Sequence, residues 1–376
     1  MPEPLRGPAF SSYAPDEVGW LLKDLTGVAL EAPTEEREEA VQNGGAHYAE
    51  SLPEELLPDD DYQALFRAAL DTGADRLAHA VGVVTETVLA ERGPAPVLVS
   101  LARAGTPVGI LMRRWAAWAH GAELPHYAVS IVRGRGIDTT ALRWLAAHHD
   151  PAAVVFVDGW TGKGAITREL ARAVAEFTGR ARFDPRLAVL ADPAGCAWAY
   201  GTREDFLIPS ACLNSTVSGL VSRTVLRADL IGPDDFHGAK FYRRLAAADV
   251  SRLFLDAVAA RFPAVAGTVA PHHPAAPTWA GWAAVERIGE EYGIHDVNLV
   301  KPGVGETTRV LLRRVPWRVL VRPGAGPELD HVRLLARRRG VPLVETEGLP
   351  YACVGLVHPR YTRGATGADG LAVRSA

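Results

Sequence analysis

The sequence predicts an α/β protein built on a parallel sheet flanked by helices, with a smaller α/β unit near its C-terminal end. Three observations carry this. Short runs of β-favouring apolar residues at 97–100, 126–132, 154–157 and 186–191 alternate with stretches of helical periodicity, the pattern of a parallel sheet with its loops on one edge. A Pro-, Ala- and His-rich stretch over 263–281 then interrupts the alternation. Beyond it comes a compact helix–strand–helix–strand order over residues 305–345.

Taken in order, residues 1–60 read as a lead-in or hood with short helices, one of them over 16–25 behind Pro15. A long helix follows over 61–91, with Leu65, Leu70, Leu77, Val81, Val84 and Val88 at helical spacing. Residues 61–262 then form the main sheet unit, with helices over 108–118 and 165–177. Residues 263–294 form a linker and the helix 281–292. Residues 295–360 hold helices at 305–314 and 328–339 and strands at 318–321 and 342–345. The Gly-Ala-Thr-Gly tail over 361–376 is expected to be disordered.

Composition narrows the class. A 48% hydrophobic and 22% charged chain of 376 residues is a globular protein long enough for two domains. No apolar run approaches membrane-spanning length, and the first residues lack the features of a secretory signal. Cys196, Cys212 and Cys353 are too scattered for a disulfide framework or a zinc site, so a cytoplasmic setting is expected. The formal charge of −4 conceals a gradient. Residues 1–61 hold three Lys/Arg against fifteen Asp/Glu, with Glu35, Glu36, Glu38 and Glu39 the densest group, whereas residues 295–376 hold thirteen against seven. A polyanionic partner is therefore sought at the C-terminal end.

The stretch from Val154 to Gly164 is the most informative. An apolar strand stops at Asp158, Gly159, Gly162 and Gly164 bracket Thr161 and Lys163, and a helix begins at once. A strand feeding a tight loop into a helix N-terminus offers backbone N–H groups to an anion. A Walker A loop is excluded, because Val157 and Gly164 stand where it needs Gly and a hydroxyl residue. Two more loops suit anions: Arg103-Ala104-Gly105-Thr106 after one strand, and Arg133-Gly-Arg135 after the next.

In that order the loops resemble type I phosphoribosyltransferases. The resemblance implies phosphoribosyl pyrophosphate (PRPP) as substrate, a nitrogen base as acceptor and Mg²⁺ as cofactor. It places Asp158 on the ribose hydroxyls and the metal, and Thr161, Gly162, Lys163 and Gly164, next to Gly159, on the 5-phosphate. Arg103, Ala104, Gly105 and Thr106, with Arg133 or Arg135, fall on pyrophosphate, and Asp158, Arg103 and Lys163 become the catalytic set. The acceptor pocket is expected from Asp192, Cys212, Asn214, Ser215, Thr216, His237 and Lys240.

Residues Gly303 to Arg309, the strand around Val319-Leu320-Val321, the run from Leu334 to Pro342 and Tyr351 to Leu356 resemble the small RNA-binding domain of Pelota and related ribosomal proteins. That resemblance implies RNA contact by Lys301, Glu306, Thr307, Arg309 and Arg313. The combination resembles a family of phosphoribosyltransferase-like proteins with a C-terminal Pelota-type domain, encoded in bacterial tellurium-resistance and stress clusters and often labelled StiP-type cysteine proteases.

Two other readings stay open. Cys212, with His237 and Asn214 or Asp235, supplies the residue types of a thiol peptidase: a nucleophile, a base and an orienting group. Alternatively, the chain is an RNA-binding module on a degenerate transferase scaffold, since Asp158 stands alone where such enzymes carry two acids. A homodimer is compatible with all three.

Overall fold

Side-chain parity along the strands decides how the molecule is layered. The computed structural model describes residues 2–357, apart from 33–46, 48, 54, 56, 179–180, 274 and 315. The tail 361–376, the acidic group at 35–39 and the side chain of Arg313 lie outside the described residues. Six strands form one parallel sheet: β1 (Gly19–Leu21), β2 (Val97–Ala102), β3 (His126–Val132), β4 (Val154–Trp160), β5 (Leu187–Ala191) and β6 (Ala199–Thr202). Their spatial order is β1-β3-β2-β4-β5-β6, and Gly136–Ile137 adds an antiparallel pair to β3.

Both faces of this sheet are covered, which explains why its strands read as continuous apolar runs. Leu98, Ala128, Val155, Val157, Ala188 and Leu190 point to one face, under helices α1 (Asp60–Arg92) and α2 (Gly105–His120). Val97, Val99, Leu101, Val129, Val154, Phe156, Leu187 and Val189 point to the other, under α3 (Thr139–His148) and α4 (Ala165–Glu176). Asp59 caps α1 by accepting from the Tyr62 amide, and Asp138 caps α3 through the amides of Thr140 and Ala141.

Gly105 fixes the approach of α2 to the sheet. A Cβ there would lie 2.3 Å from the Val157 carbonyl oxygen, so only glycine lets the first turn of α2 sit against β4.

One predicted element is corrected. The helix expected over 16–25 is instead the edge strand β1, because Val18, Trp20, Leu21 and Leu22 are all buried. A run buried on consecutive positions satisfies a two-faced strand, whereas a surface helix would expose one side. Residues of the lead-in therefore belong to the sheet. The stretch expected as a linker is docked: the His272 amide donates to Thr87 Oγ1 at 3.1 Å and the Thr278 amide to the Gly195 carbonyl at 2.8 Å.

The C-terminal α/β region follows, with α5 (Ser251–Ala259) before it on the α1–α2 side. It comprises α6 (Ala280–Tyr292), β7 (Val300–Pro302), α7 (Val304–Arg313), β8 (Pro316–Val321), α8 (Asp330–Arg339), β9 (Leu343–Glu345) and β10 (Cys353–Val357). The sheet order is β7-β10-β8-β9, with β10 antiparallel to both neighbours. One face packs Val300, Leu320, Val354 and Leu356 on Val285 and Ile288 of α6. On the other face Val304, Leu311, Val319, Val332 and Ala336 belong to a core continuous with that of the main sheet.

Candidate functional site

The chain leaves β2 for β3 on one side and returns to β4 on the other. The crevice between the carboxyl ends of β2 and β4 is thus a topological switch point, where open α/β sheets form sites. A cavity of about 180 Å³ lies there. Ala104 after β2, Arg133 after β3, and Asp158, Trp160, Thr161, Gly162, Lys163 and Gly164 at the end of β4 line one side. Val300, Lys301, Pro302 and Glu306 of the C-terminal region line the other. The three anion-suited loops thus meet on one rim, and the opposing wall comes from the region expected to contact RNA.

Electrostatics in the cavity are unbalanced towards cations. Burial, reinforced by Lys301 and Arg133, pulls the Lys163 ammonium down to about 8. Burial also lowers Lys301, aided by Arg314 and Arg133. Asp158 is pushed up to about 7 by burial, against the pull of the Gly159 amide and Arg133. Burial opposes ionisation of Glu306, yet Arg309 and Lys301 outweigh it and hold that carboxyl below its usual range. Arg309 Nη1 donates to Glu306 Oε1 at 2.9 Å, so that charge is already matched.

Several expected phosphate and pyrophosphate contacts are otherwise engaged. The Thr161 amide donates to the Ala191 carbonyl, and its hydroxyl donates to Asp192 Oδ1 at 2.6 Å, away from the cavity. Arg103 pairs with Glu55 at 2.6 Å and reaches the Val221 carbonyl, while Gly105 and Thr106 are buried in the first turn of α2. Arg135 faces Glu50 at 3.5 Å on the surface. Lys163 Nζ donates to the Val297 carbonyl across the cleft. Of the expected loops, Ala104, Arg133, Asp158 and 160–164 remain as cavity residues, Gly159 packing against Ala104 behind them.

None of the residues expected to form an acceptor pocket lines this cavity. Asp192 is fully buried and holds Arg203 at 2.8 Å and the amides of Cys196 and Ala197. Asn214 caps a short turn through the Thr216 amide, and Ser215 donates its amide to Glu55. Lys240 pairs with Glu31 at 2.8 Å. His237 Nδ1 lies 2.8 Å from Ser130 Oγ, and Asp235 pairs with Lys23 at 2.6 Å, so these groups serve the edge of the main sheet.

Among the described residues no three His, Cys, Asp or Glu side chains gather to hold a metal. Asp158, pushed up to about 7, and Glu306, engaged by Arg309, are a poor donor set for a hard dication such as Mg²⁺. All three thiols are buried. Burial and the Asp192 carboxylate push Cys196 up to about 11, and burial and Asp205 push Cys353 further up. Cys212 is 1% exposed, between two short 3₁₀ turns, and Arg309 of α7 donates to the carbonyl of its neighbour Ala211 at 3.0 Å.

Trp160, Pro302 and the docking groups escaped the sequence reading. Asp205 accepts the amides of Val304 at 2.9 Å and Ala352 at 2.8 Å, and Tyr351 Oη donates to the Gly162 carbonyl at 2.6 Å. The signal for Trp160 was present, as the second residue after Asp158 on the same strand face. Nothing local to Asp205 or Tyr351 marks them, because their partners are 99 to 189 residues away.

No helix among the described residues is long and apolar enough to cross a membrane. Residues 11–259 match the model of a family described as tellurite-like stress resistance cysteine protease StiP. Residues 279–359 match the model of the PELOTA RNA binding domain. The chain is 35% identical over 366 residues to a protein of Acinetobacter baylyi named cysteine protease StiP, covering 92% of this chain and 93% of that one. No solved structure matches the chain. These matches overturn the expected transfer of ribose 5-phosphate from PRPP: they point to a cysteine-protease-type enzyme, not a pentosyltransferase.

Proposed function

This chain belongs to the StiP family, and from that premise we propose that it is a cysteine-dependent peptide-bond hydrolase joined to an RNA-binding unit. The observation that carries the hydrolase reading is the match over nearly the whole chain to a relative named as a cysteine protease. Cys212 is taken as the candidate nucleophile because each of the other two buried thiols has a carboxylate beside it, Asp192 at Cys196 and Asp205 at Cys353. A thiol must ionise to attack, and the environments of Cys196 and Cys353 oppose thiolate formation. In the proposed reaction Cys212 Sγ attacks the scissile carbonyl, the amine leaves with a proton, and water hydrolyses the thioester.

Cys212 is too buried to meet a peptide in the arrangement described, so the 207–224 segment must open for turnover. The parallel sheet is read as a type I phosphoribosyltransferase-like scaffold retained as framework. Residues 279–359 are read as a Pelota-type unit that binds RNA, supported by their match and by the basic excess at that end.

The test is hydrolysis of dye-labelled casein by the full chain and by Cys212→Ala, Cys196→Ala and Cys353→Ala, each checked for folding by circular dichroism. Loss of turnover confined to Cys212→Ala is expected. Full activity in Cys212→Ala would remove the assignment of Cys212, and no cleavage by the parent chain would remove the peptidase reading.

A further inference from the structure

The face of the C-terminal region expected to meet RNA is turned inward. Lys301 and Glu306 line the cavity at the ends of β2 and β4, Thr307 is fully buried, and Arg309 reaches across to Ala211. An RNA strand using that face must therefore enter the cleft between the two regions. What it would meet there suits a nucleotide. Lys163 comes from the main sheet unit, Lys301 from the opposite wall and Arg133 from the loop after β3. Around this one cavity Lys301 and Arg133 disfavour the charge of Lys163, and Arg133 disfavours that of Lys301, which is the electrostatic condition that an incoming phosphate relieves. Of the two carboxyls there, Glu306 is already paired with Arg309, and burial pushes Asp158 up to about 7.

Trp160 supplies the second element. Its indole lines the same cavity, with the Arg309 guanidinium 5.4 Å from the ring centroid. A positively charged groove with an aromatic ring is the combination that holds single-stranded nucleic acid, the backbone on the cations and a base on the ring. A cavity of about 180 Å³ between two packed regions has no room for a duplex. Free phosphate would need the cations alone and would make no use of the indole.

We propose that this cleft is a binding site for one nucleotide of a single-stranded RNA, its phosphate among Lys163, Lys301 and Arg133 and its base against Trp160. The proposal rests on the RNA-binding reading given above and adds that the main sheet unit supplies half of the contact. Lys163 and Trp160 lie outside residues 279–359, so an RNA bound by the C-terminal region alone would not touch them.

The experiment uses the full chain and an oligouridylate in two forms. Fluorescence anisotropy over a salt series is measured for the parent, Lys163→Gln, Trp160→Leu and Lys301→Gln. Photo-crosslinking of a thiouridine-substituted oligouridylate to the parent is mapped by mass spectrometry, which does not depend on any variant folding. Expected are crosslinks within 158–167, about tenfold weaker binding by Lys163→Gln, and a salt slope reduced by roughly one. Crosslinks confined to 295–357, with Lys163→Gln and Trp160→Leu binding like the parent, would overturn the cleft site while leaving the RNA-binding reading intact. Absence of binding by the parent at low salt would overturn both. Equal affinity for inorganic phosphate and the oligouridylate in competition would overturn the nucleotide assignment in favour of a bare anion site.

Discussion

Lys163 and Asp158 set the pH response of the cleft. Lys163 is held near 8 and Asp158 near 7, so both change charge within an accessible window. The signs agree. As pH rises through about 7 Asp158 becomes negative, and through about 8 Lys163 becomes neutral; each step makes the cavity less hospitable to phosphate. Oligouridylate affinity is therefore expected to fall by about tenfold between roughly pH 6 and 9 at constant salt. Asp158→Asn should remove the lower step and leave the upper one. A profile that stays level to pH 9 in the parent would contradict the placement of either group beside the ligand. At this scale the sequence was informative about chemistry but not about engagement. The types at 158–164 announced an anion loop, yet the Thr161 hydroxyl is spent on Asp192, thirty-one positions away, and Arg103 on Glu55. Such pairings depend on which strands become neighbours, and no local pattern carries that.

Elements were legible where one period dominated. The long helix α1, the strands β2, β4 and β5, and the α7–β8–α8–β9 order are each announced by apolar spacing and caps. At β1 the sequence does not discriminate, because Val18, Trp20, Leu21 and Leu22 fit a helical stripe and a two-faced strand equally well over so short a run. β10, an inner strand of the small sheet, is bounded by Gly348 and Pro350, but Gly355 interrupts its five-residue run and weakens the strand pattern. Gly105 is where element packing can be tested. A methyl at this position would press on the β4 backbone rather than on a side chain that could move. Gly105→Ala should destabilise the chain by about 1–3 kcal/mol, read as a lower denaturation midpoint, and displace Ala104 from the cavity rim. An unchanged midpoint would mean that α2 does not need to lie so close to β4.

Across the whole molecule, the two α/β regions are joined by deeply placed contacts, and the candidate cleft exists only while they hold. Asp205 is the most informative of them. Its carboxylate accepts from Val304 at the start of α7 and from Ala352 ahead of β10, fixing both ends of the small sheet's core-facing side. Burial raises this carboxyl from 3.8 to about 6 despite those amides. A carboxyl raised in the fold stabilises most below its ordinary value, and that contribution is lost as pH rises through about 6. At neutral pH Asp205 thus carries a buried charge whose cost the amide bonds it receives offset only in part. Asp205→Ala removes the charge but leaves two buried N–H groups unsatisfied, at about 1–3 kcal/mol each, so net destabilisation is expected. Its character matters more than its size. The loss should fall on the seam, so hydrogen exchange should speed up in α7, β7 and β10 while β2 and β4 stay protected. Cooperative unfolding should split into two steps. Oligouridylate binding by this variant should then take on the lower salt slope expected of Lys163→Gln, because the walls of the cleft no longer face each other. Unchanged exchange in β10, or a single transition at the parental midpoint, would show that the shared apolar core around Val304 and Leu311 holds the regions together without Asp205.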